Sequence, residues 1–531
     1  MHLRKWIQWK LGSGIALVVV LMFGDPLCMA QPAFPLHTAG PYIVDSNGHR
    51  VRLNAVNWYG GESVDYVVGG LQSASLQSIV NQIRSIGFNA VRLPWSNELY
   101  EHNPVVPGYA LAANTNMQGE NALTVLDQVI SALSGAGIMV ILDNHNSNAE
   151  WCCSNSDGNT LWYNSQYPES SWIADWQGIV RRYAGNPWVI GVDLRNEPRG
   201  SATWGGSAST DWHAAAQRAG NAVLSVNSNL LIFVEGINFA LDLSGVGSLP
   251  IQLNTSNRVI YEAHDYGFDY SGLTGYSDYI SRISPRWGYL VTGNNPQPLW
   301  VGEFGTCNTA TTCVSSSSSS DNGFWFGLLT TWLQSESLDW SYWAVNGTQS
   351  TGRTYGAAET YGVLNTAWNA SELSALTSRL QALINTGGGP AEGTYRIVNV
   401  HSGLDMEVNG QSTSNGAPVD QWSYWGGSNQ KWNLSYLNNG MYRLTAVNSG
   451  LALDVTGQST AFGAKIDQWT YGGGGNQQYV LSRTSDGNYR FLNSNSGLAI
   501  EVPGFSTTNG TVLDQWGWNA GTNQEWMFLT P

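Results

Sequence analysis

Short apolar runs alternate with amphipathic stretches between about residue 50 and residue 385. Eight runs are almost continuously apolar, at residues 51–58, 88–94, 138–145, 189–197, 230–236, 259–264, 299–303 and 339–344. Between them, in stretches such as 75–87, 211–226 and 372–384, apolar residues recur at steps of three and four, which predicts helices with one buried face. Strands buried on both faces belong to parallel sheets covered by helices, so eight such units predict a (β/α)₈ barrel, an α/β fold. An open doubly wound sheet is the alternative, but the chain has no GxGxxG or phosphate-binding loop.

The pattern changes after residue 385. The segment 386–392 is rich in Gly with one Pro, which is typical of a flexible linker. Beyond it, three similar segments begin at Gly403, Gly450 and Gly497, at intervals of 47 residues. Each is rich in β-branched and turn residues and lacks helical periodicity, so one supersecondary unit used three times is expected, in a closed all-β domain over residues 393–531. The barrel is then assigned to residues 31–385.

The first thirty residues have the composition of a targeting segment. Three basic residues within the first ten positions precede an apolar stretch at 11–23, which is shorter than the about 20 residues of a membrane span. Cys28 and Ala30 place small residues at the −3 and −1 positions of a cleavage site. We predict a secretory signal peptide over residues 1–30 and an extracellular protein, with an uncleaved anchor as the alternative. No later segment could span a bilayer, so no membrane association is expected after cleavage.

The composition favours a neutral ligand. With 23 basic and 38 acidic residues, the net charge of −15 repels nucleic acid and anionic membranes. Charged residues make up only 11% of the chain, whereas it has 25 Trp and 24 Tyr. Aromatic rings stack on the apolar faces of sugars, so a carbohydrate partner is expected. A monomer is the expected state.

Four cysteines remain after removal of the signal peptide, an even number in an oxidising compartment. They are Cys152, Cys153, Cys307 and Cys313. Three pairings are possible. A Cys307–Cys313 bridge closing a short loop is favoured, while cross-links from Cys152 and Cys153 stay open. No CxxC spacing is present, so we expect neither a zinc site nor another metal or cofactor.

Polar residues at the ends of the predicted strands carry the candidate chemistry, because active sites of such barrels lie at the C-terminal ends of the strands. Cleavage of a glycosidic bond needs two carboxyl groups, one protonated and one ionised. Glu197 and Glu303 each directly follow a buried strand, on opposite walls of the barrel. Glu235, after the fifth strand, could replace either of them on spacing alone. Asp143 and Asp193 are expected to orient their neighbours.

Several of these runs resemble glycoside hydrolase family 5, over most of residues 51–344. The matching runs are GFNAVRLPW, LDNH, DLRNEP, EAHDY, WVGEFG and DWSYWA. The resemblance implies a retaining β-glycosidase with Glu197 as the acid/base and Glu303 as the nucleophile. It also implies six substrate-binding residues, namely Arg92, His145, Asn196, His264, Tyr266 and Trp343. The runs WCCSNSDG and LRNEPRG resemble a branch of the family found in plants and some bacteria, whose members often end in a ricin-like domain.

The residue types suit these implied roles. Asn196 can hydrogen-bond the sugar 2-hydroxyl, a contact that strengthens in the transition state. Arg92 and Tyr266 offer a cation and a hydroxyl donor, both of which favour an ionised Glu303. His145 and His264 are expected partners of the carboxylates and of sugar hydroxyls. Trp343 offers a platform for the sugar face.

The three C-terminal segments resemble the ricin-B type β-trefoil lectins. The resemblance rests on a repeated Gln-x-aromatic motif, whose residues are expected in the core: Gln430 and Trp432, Gln477 and Tyr479, Gln524 and Trp526. It implies up to three sugar sites, each with an acidic residue, a second acid where those lectins often carry Gln, a stacking Trp and an Asn. These residues are Glu407, Asp420, Trp422 and Asn429; Asp454, Asp467, Trp469 and Asn476; and Glu501, Asp514, Trp516 and Asn523. The departures from the lectin pattern favour the barrel's own polysaccharide as the ligand over galactose.

The expected activity is internal cleavage of a β-1,4-linked or mixed β-glucan. This prediction rests on the family resemblance and on aromatic residues expected near the barrel mouth, such as Trp58, Trp95 and Trp162. Three alternatives stay open: a lectin-like protein with an inactive barrel, a β-mannanase or β-1,3-glucanase, and a transglycosylase.

Overall fold

The computed structural model describes residues 31–48, 50–206, 209–293, 295–315, 321–385, 390, 392–437, 441–484, 488–519 and 521–531. The predicted signal peptide and most of the predicted linker lie outside these residues. Within the described part of the chain, no helix has the length and apolar character needed to cross a membrane.

Eight parallel strands close into a barrel in chain order. A short antiparallel hairpin, β1 (His37–Ala39) and β2 (Tyr42–Val44), precedes them. The barrel strands are β3 (Asn54–Asn57), β4 (Ala90–Ser96), β5 (Met139–Asn146), β6 (Val189–Asp193), β7 (Leu231–Glu235), β8 (Val259–His264), β9 (Leu299–Phe304) and β10 (Asp339–Tyr342). Strand β10 pairs with both β9 and β3, which closes the barrel. The predicted (β/α)₈ fold is therefore confirmed, and each apolar run overlaps one strand.

Helices cover the outside of the barrel. They are α1 (Leu76–Ile86), α2 (Asn97–His102), α3 (Ala122–Gly135), α4 (Glu169–Tyr183), α5 (Trp212–Val226), α6 (Tyr276–Ile283), α7 (Tyr289–Thr292), α8 (Asp321–Ser335) and α9 (Ser374–Asn385). Helix α1 illustrates the local rules. The Ser75 hydroxyl caps its first turn by accepting from the backbone N–H of Ser78, and Gly87 ends it with φ of 109°, a left-handed conformation suited to glycine.

Three tryptophans predicted near the mouth are instead core residues. Trp58, Trp95 and Trp162 are each less than 2% exposed. Side chains of a barrel strand alternate between the interior and the helical layer. Arg92 points inward, so Trp95 points outward, where it packs edge-on against Trp176 of α4 at 4.9 Å between ring centroids. These three rings therefore contribute packing rather than a sugar platform.

The described residues of the C-terminal region form β-strands joined by turns and short 3-10 helices, an all-β architecture consistent with a β-trefoil. Its strands are β11 (Gly393–Asn399), β12 (Asp405–Val408), β13 (Ala417–Trp422), β14 (Trp432–Tyr436), β15 (Tyr442–Ala446), β16 (Ala452–Val455), β17 (Ile466–Trp469), β18 (Tyr479–Arg483), β19 (Tyr489–Asn493), β20 (Ala499–Glu501), β21 (Thr511–Val512), β22 (Asp514–Trp516) and β23 (Trp526–Leu529). Residues 47 positions apart occupy equivalent positions in the three repeats. The expected core assignment of the motif holds, since Trp432, Tyr479 and Trp526 are fully buried.

The trefoil packs on the N-terminal end of the barrel. Tyr42 and Val44 of β2 form one apolar cluster with Met441 and Val480 of the trefoil. Beside it, buried Arg490 of β19 pairs with Glu336, which lies just before β10. Because all barrel strands are parallel, this contact lies at the end of the barrel opposite the C-terminal strand ends.

Candidate active site

The predicted site residues of the barrel converge at the C-terminal ends of its strands. Each lies within a strand or in the first residues after it, and all of them are buried: Arg92 on β4, His145 on β5, Asn196 and Glu197 after β6, His264 and Tyr266 at and after β8, Glu303 on β9, and Trp343 after β10. The structure thus brings the whole barrel set together.

Glu197 occupies an unusual backbone conformation. Its φ is 48°, in the left-handed region that non-glycine residues seldom adopt and that is enriched at functional sites. Two contacts hold it there: its N–H donates to Glu235 Oε2 at 2.6 Å, and its carbonyl accepts from Arg199 Nη1 at 2.9 Å. This sharp turn after β6 directs the Glu197 side chain toward His264 and Glu303.

Glu197 and Glu303 face each other around His264. His264 Nδ1 lies 3.0 Å from Glu197 Oε1 and 3.8 Å from Glu303 Oε2. One oxygen of each carboxyl group and a nitrogen of His264 all lie within 4.8 Å of one another. Retaining glycosidases separate their two carboxyl groups by about 5–5.5 Å, whereas inverting enzymes need about 6.5–9.5 Å to fit a water molecule. The observed spacing suits direct attack by one carboxylate.

Arg92 organises the acidic groups beneath the site. This fully buried guanidinium donates to Glu303 Oε1 at 2.8 Å, to Asn196 Oδ1 at 3.0 Å and to Glu235 Oε1 at 3.0 Å. It also contacts Asp143 and Asp193. Burial alone would lower the pKa of Arg92, but the surrounding carboxylates raise it well above its ordinary value. Arg92 therefore stays charged and fixes the orientation of Glu303 and Asn196 together.

The two candidate catalytic carboxyl groups have different surroundings. Glu303 accepts from Arg92 and, at 3.0 Å, from the Tyr266 hydroxyl. Burial and then the charge of Glu303 raise the pKa of Tyr266 well above its ordinary value, so this phenol stays a donor. Burial raises the pKa of Glu197, while the charges of Arg199 and Arg92 oppose the shift. Glu303 is thus supplied with hydrogen-bond donors, whereas burial shifts Glu197 toward its protonated form.

Glu235 lies beneath the cleft and does not compete with the pair. Its side chain is completely buried, with its oxygens facing the Glu197 N–H and Arg92. Burial, then the charges of Asp193 and Glu262, raise its pKa well above the ordinary range. A carboxyl group buried in this way, with both oxygens engaged by the Glu197 N–H and Arg92, is placed to orient its neighbours, and its burial argues against the alternative in which Glu235 replaces Glu197 or Glu303.

The state of Glu235 leads to a testable expectation. Glu235→Gln has the shape of the protonated acid and keeps an acceptor for the Glu197 N–H, so kcat/KM should fall by less than about tenfold. Glu235→Leu leaves that N–H without an acceptor and removes one of the acceptors of Arg92, and kcat/KM should fall roughly 10- to 100-fold further, because such hydrogen bonds contribute about 1.5–3 kcal/mol. Hydrolysis of an aryl β-cellobioside, with melting temperatures as the folding control, measures both. Complete inactivity of a folded Glu235→Gln enzyme would make Glu235 a catalytic group.

An aromatic wall borders the carboxyl pair. Trp343 stacks on Tyr59 with centroids 5.3 Å apart and rings 6° from parallel, and on His145 at 5.6 Å. Trp151 packs edge-on against Tyr59 and Trp343. His145 Nδ1 lies 2.6 Å from Asp143 Oδ2, and burial lowers the pKa of His145 to about 3, so the ring is neutral. His145 therefore pairs with Asp143, whereas the expected contact of a histidine with the carboxyl pair is made by His264 and Glu197.

Sequence reasoning missed Tyr59, Trp151 and the surroundings of the cysteines. Tyr59 follows the buried Trp58, and the alternation of strand side chains would have pointed to it. The favoured Cys307–Cys313 bridge is present, and Cys152 is bonded to Cys153, which resolves the open pairing. That second bridge lies beside His145 and Asn196. No residue pattern indicated this placement, because it depends on the path of the loop after β5.

The polar residues predicted for the three trefoil sites also form clusters. Within each repeat the two acidic residues are direct cross-strand partners, such as Glu407 and Asp420. In the second repeat Asn476 donates to Asp454 at 2.7 Å, and in the third Asn523 donates to Glu501 at 3.3 Å. The expected stacking residues Trp422, Trp469 and Trp516 are 39%, 48% and 43% exposed.

The trefoil tryptophans also lie against neighbouring repeats. The ring of Trp422 lies beside Gly510, that of Trp469 beside Gly416, and that of Trp516 beside Gly463. In the first repeat, a second exposed ring, Trp425, comes close to the acidic residue, with Nε1 3.4 Å from Glu407 Oε2. The other repeats carry Gly472 and Asn519 at that position. The three clusters are therefore similar but not identical.

Three groups in the described part of the chain bring possible metal-ligand atoms within 4.8 Å of one another. One contains His145 with Cys152 and Cys153, whose sulfurs are committed to a disulfide. The other two share His264 and are drawn from the carboxyl groups around Arg92: Glu197 with Glu303, and Glu235 with Glu262. Arg92 forms ion pairs with Glu235, Glu262 and Glu303 of these two groups, at 3.0, 3.6 and 2.8 Å.

Comparison with known proteins agrees with this geometry. Residues 44–349 match cellulase (glycosyl hydrolase family 5), and residues 379–469 and 475–531 match the ricin-type β-trefoil lectin domain-like family. The chain is 38% identical over 328 residues to an endoglucanase of Paenibacillus polymyxa, covering 58% of this chain and 79% of that protein. It is 30% identical over 416 residues to a glycosyl hydrolase 5 family protein of Chamaecyparis obtusa, covering 72% of each.

A solved structure is similar as well. The catalytic domain of the major endoglucanase from Xanthomonas campestris pv. campestris superposes with a TM-score of 0.57 at 28% identity, covering 66% of this chain and 99% of that one. The match spans more than half of the chain and coincides with the barrel that holds Glu197 and Glu303. The chain therefore belongs to glycosyl hydrolase family 5 and is a cellulase-like glycoside hydrolase with a C-terminal ricin-type β-trefoil lectin-like domain.

Proposed function

We propose that this protein is a secreted, retaining endo-β-1,4-glucanase with Glu197 as acid/base and Glu303 as nucleophile. The observation that carries the proposal is the facing pair of carboxyl groups, within 4.8 Å of each other around His264. Their spacing and their different surroundings suit a double displacement. The similarity to endoglucanases supports a β-glucan substrate.

In the first step Glu303 attacks the anomeric carbon while Glu197 donates its proton to the departing glycosidic oxygen. The Tyr266 hydroxyl and Arg92 hold the Glu303 carboxylate in line for attack. Asn196 binds the 2-hydroxyl, where the contact strengthens as oxocarbenium character develops. In the second step Glu197, now ionised, takes a proton from a water molecule. The water oxygen attacks the anomeric carbon on the face from which the first leaving group departed, opposite Glu303, and displaces Glu303. The product leaves with the starting β configuration.

The aromatic wall supports binding of a pyranose. Trp343, Tyr59 and Trp151 present stacked and edge-on rings beside the carboxyl pair, which suits the apolar face of a glucosyl unit.

A product screen tests the substrate. We expect an early fall in viscosity and release of reducing ends from carboxymethylcellulose and mixed β-glucan, with less from laminarin and xylan. Cleavage confined to mannan or glucomannan would overturn the glucanase assignment, and transfer of glycosyl units to added sugars, in place of release to water, would favour a transglycosylase.

Secretion is part of the same proposal. Two disulfides in the described chain suit an oxidising compartment. If residues 1–30 are a signal peptide, the protein recovered from culture medium should begin at Gln31. Recovery in the membrane fraction with Met1 intact would favour an anchor.

We also propose that the trefoil binds the polymer that the barrel cuts. Its three clusters each join acidic and amide groups to an exposed tryptophan. Weak single sites add up on a polymer, because a second contact forms at high effective concentration.

The trefoil proposal predicts a loss of binding in the Trp422→Ala/Trp469→Ala/Trp516→Ala protein. In a non-hydrolysing Glu303→Gln background, its affinity for insoluble β-glucan should fall at least about tenfold, since each site loses its stacking ring. Pull-down isotherms measure this. As a control, the triple variant with intact Glu303 should keep wild-type kcat on a soluble aryl β-cellobioside. Equal binding by the triple variant would mean that the trefoil does not bind the polymer through these rings.

A further inference from the structure

The loop after β5 carries a disulfide into the active site. Cys152 and Cys153 are bonded to each other, and their sulfurs face His145 and also Asn196, which has a role in the proposed mechanism. Cys152 Sγ lies 3.3 Å from His145 Nε2. Asn196 Nδ2 lies 3.6 Å from Cys152 Sγ and 3.4 Å from Cys153 Sγ. The chemical steps described above make no use of these sulfurs.

The contact with Asn196 fixes the direction of its amide group. Asn196 Oδ1 accepts from Arg92 Nη2 at 3.0 Å, so the Nδ2 end must point away from Arg92, toward the two sulfurs. A disulfide sulfur is a weak acceptor. It holds the amide by packing without engaging its N–H groups strongly, and these donors stay available to a sugar hydroxyl. A carboxylate or water at the same place would compete with the substrate.

The contact with His145 is also one of packing. His145 Nδ1 lies 2.6 Å from Asp143 Oδ2, and we assign the proton of the neutral ring to Nδ1 on the basis of this contact, which makes Nε2 an acceptor. A disulfide sulfur has no hydrogen to donate to Nε2. The sulfur therefore packs against one edge of the ring while Trp343 stacks on its face.

The loop that carries the disulfide is itself fixed on both sides. On one side the Trp151 ring packs edge-on against Tyr59 and Trp343, with centroid distances of 5.3 and 6.3 Å. On the other side the Ser154 carbonyl accepts from Arg199 Nε at 2.9 Å, and Arg199 also holds the carbonyl of Glu197. The position of the sulfurs is thus tied to the backbone of the acid/base residue.

We propose that the Cys152–Cys153 disulfide is a positioning element of the cleavage site, which holds the Asn196 amide in line for the sugar 2-hydroxyl. This inference rests on the proposed function in giving Asn196 that role. A dithiol such as dithiothreitol opens the bond by supplying two electrons and two protons, which gives two thiols as the reagent closes to its cyclic disulfide. Two separate thiols need more room than the bonded pair, and Cys152 S–H can then donate to His145 Nε2. The amide of Asn196 loses its fixed neighbour.

The test compares the full-length enzyme in three states: oxidised, reduced by dithiothreitol under native conditions, and reoxidised. Thiols are counted by mass spectrometry. Two substrates are used, an aryl β-glycoside with its 2-hydroxyl and the 2-deoxy analogue. Reduction should lower kcat on the hydroxylated substrate roughly 10- to 100-fold, the scale of a misplaced positioning group. KM should change less than about threefold, because the lost contact acts mainly in the transition state. On the 2-deoxy substrate, which lacks the partner of Asn196, reduction should have little effect.

Three variants sharpen the comparison. Cys152→Ser/Cys153→Ser should match the reduced enzyme and ignore dithiothreitol. Cys307→Ser/Cys313→Ser, which removes the other bridge, should respond to dithiothreitol as the wild type does. In Asn196→Ala, reduction should cost little further activity.

Equal losses on the 2-hydroxy and 2-deoxy substrates would overturn the inference, because a disulfide that only stabilises the fold would produce that result. Unchanged kcat in enzyme whose Cys152 and Cys153 are demonstrably reduced would overturn it as well, whether or not the serine variant folds. An oxidised enzyme that cleaves aryl β-glycosides but no β-1,4-glucan contradicts only the proposed substrate.

Discussion

Glu303→Gln is expected to remove turnover almost completely. The amide keeps the size of the carboxylate and an acceptor for Arg92, but it cannot form a glycosyl ester, so the double displacement stops at its first step. Loss of a covalent nucleophile costs roughly 10⁵- to 10⁶-fold in kcat. Hydrolysis of an aryl β-cellobioside measures this loss, and the exposed Glu101→Gln on α2 is a matched control that should keep wild-type activity.

The same residue should carry the covalent intermediate. A 2-deoxy-2-fluoro glycoside with a good leaving group should inactivate the wild-type enzyme, and mass spectrometry should find the sugar on the peptide that contains Glu303. Proton NMR should show the β anomer as the first product. An α anomer at early times, or a label on Glu235, would contradict the assignment.

Glu197→Ala should lose activity in a way that depends on the leaving group. Without its proton donor, cleavage of β-glucan should fall about 10²- to 10⁴-fold. A dinitrophenyl glycoside needs little protonation, so its first step should survive and the intermediate should accumulate. Added azide, which needs no general base, should then raise turnover and give a β-glycosyl azide. Failure of azide to raise turnover in a folded Glu197→Ala enzyme would argue against the acid/base role.

The pH profile gives a second reading of Glu197. Glu197 must be protonated to donate, so activity should fall as the pH rises through its pKa. Burial raises that pKa, which moves this alkaline limb above the ordinary range of a glutamic acid. The azide reaction of Glu197→Ala should lack the limb. If the limb persists there, another group sets it.

The barrel could be predicted because the same pattern, an apolar run followed by an amphipathic stretch, occurs eight times along the chain. Eight apolar runs each gave a strand, and the strand ends located Arg92, Glu197 and Glu303 without knowledge of distances. The direction of individual side chains was harder. Trp95 lies next to mouth-facing residues, but alternation turns it toward α4, and a run that is apolar on both faces gives no marker of which face is which.

The sequence also could not distinguish the surroundings of the acidic residues from one another. Glu235 and Glu303 both end buried strands in a Val-Glu or Gly-Glu context, so spacing could not tell them apart. Glu235 lies beneath the cleft, where it accepts from the Glu197 N–H. Glu303 lies at the floor of the cleft, where it accepts from the Tyr266 hydroxyl. The proximity of the Cys152–Cys153 bridge to Asn196 joins parts of the chain 43 residues apart, which no local pattern encodes.

The trefoil contacts the barrel through β2 and Glu336, at the end opposite the cleft. The expected stacking residues Trp422, Trp469 and Trp516 lie on β13, β17 and β22, whereas the trefoil residues of this contact lie on or beside β15, β18 and β19, and the three rings are exposed. A glucan strand held by the trefoil would therefore have to pass around the barrel before it could enter the cleft of the same molecule. An enzyme anchored in this way cuts neighbouring strands within its reach and does not advance along the one it holds. Degradation of a solid glucan should accordingly be non-processive, with most new reducing ends left on the insoluble fraction.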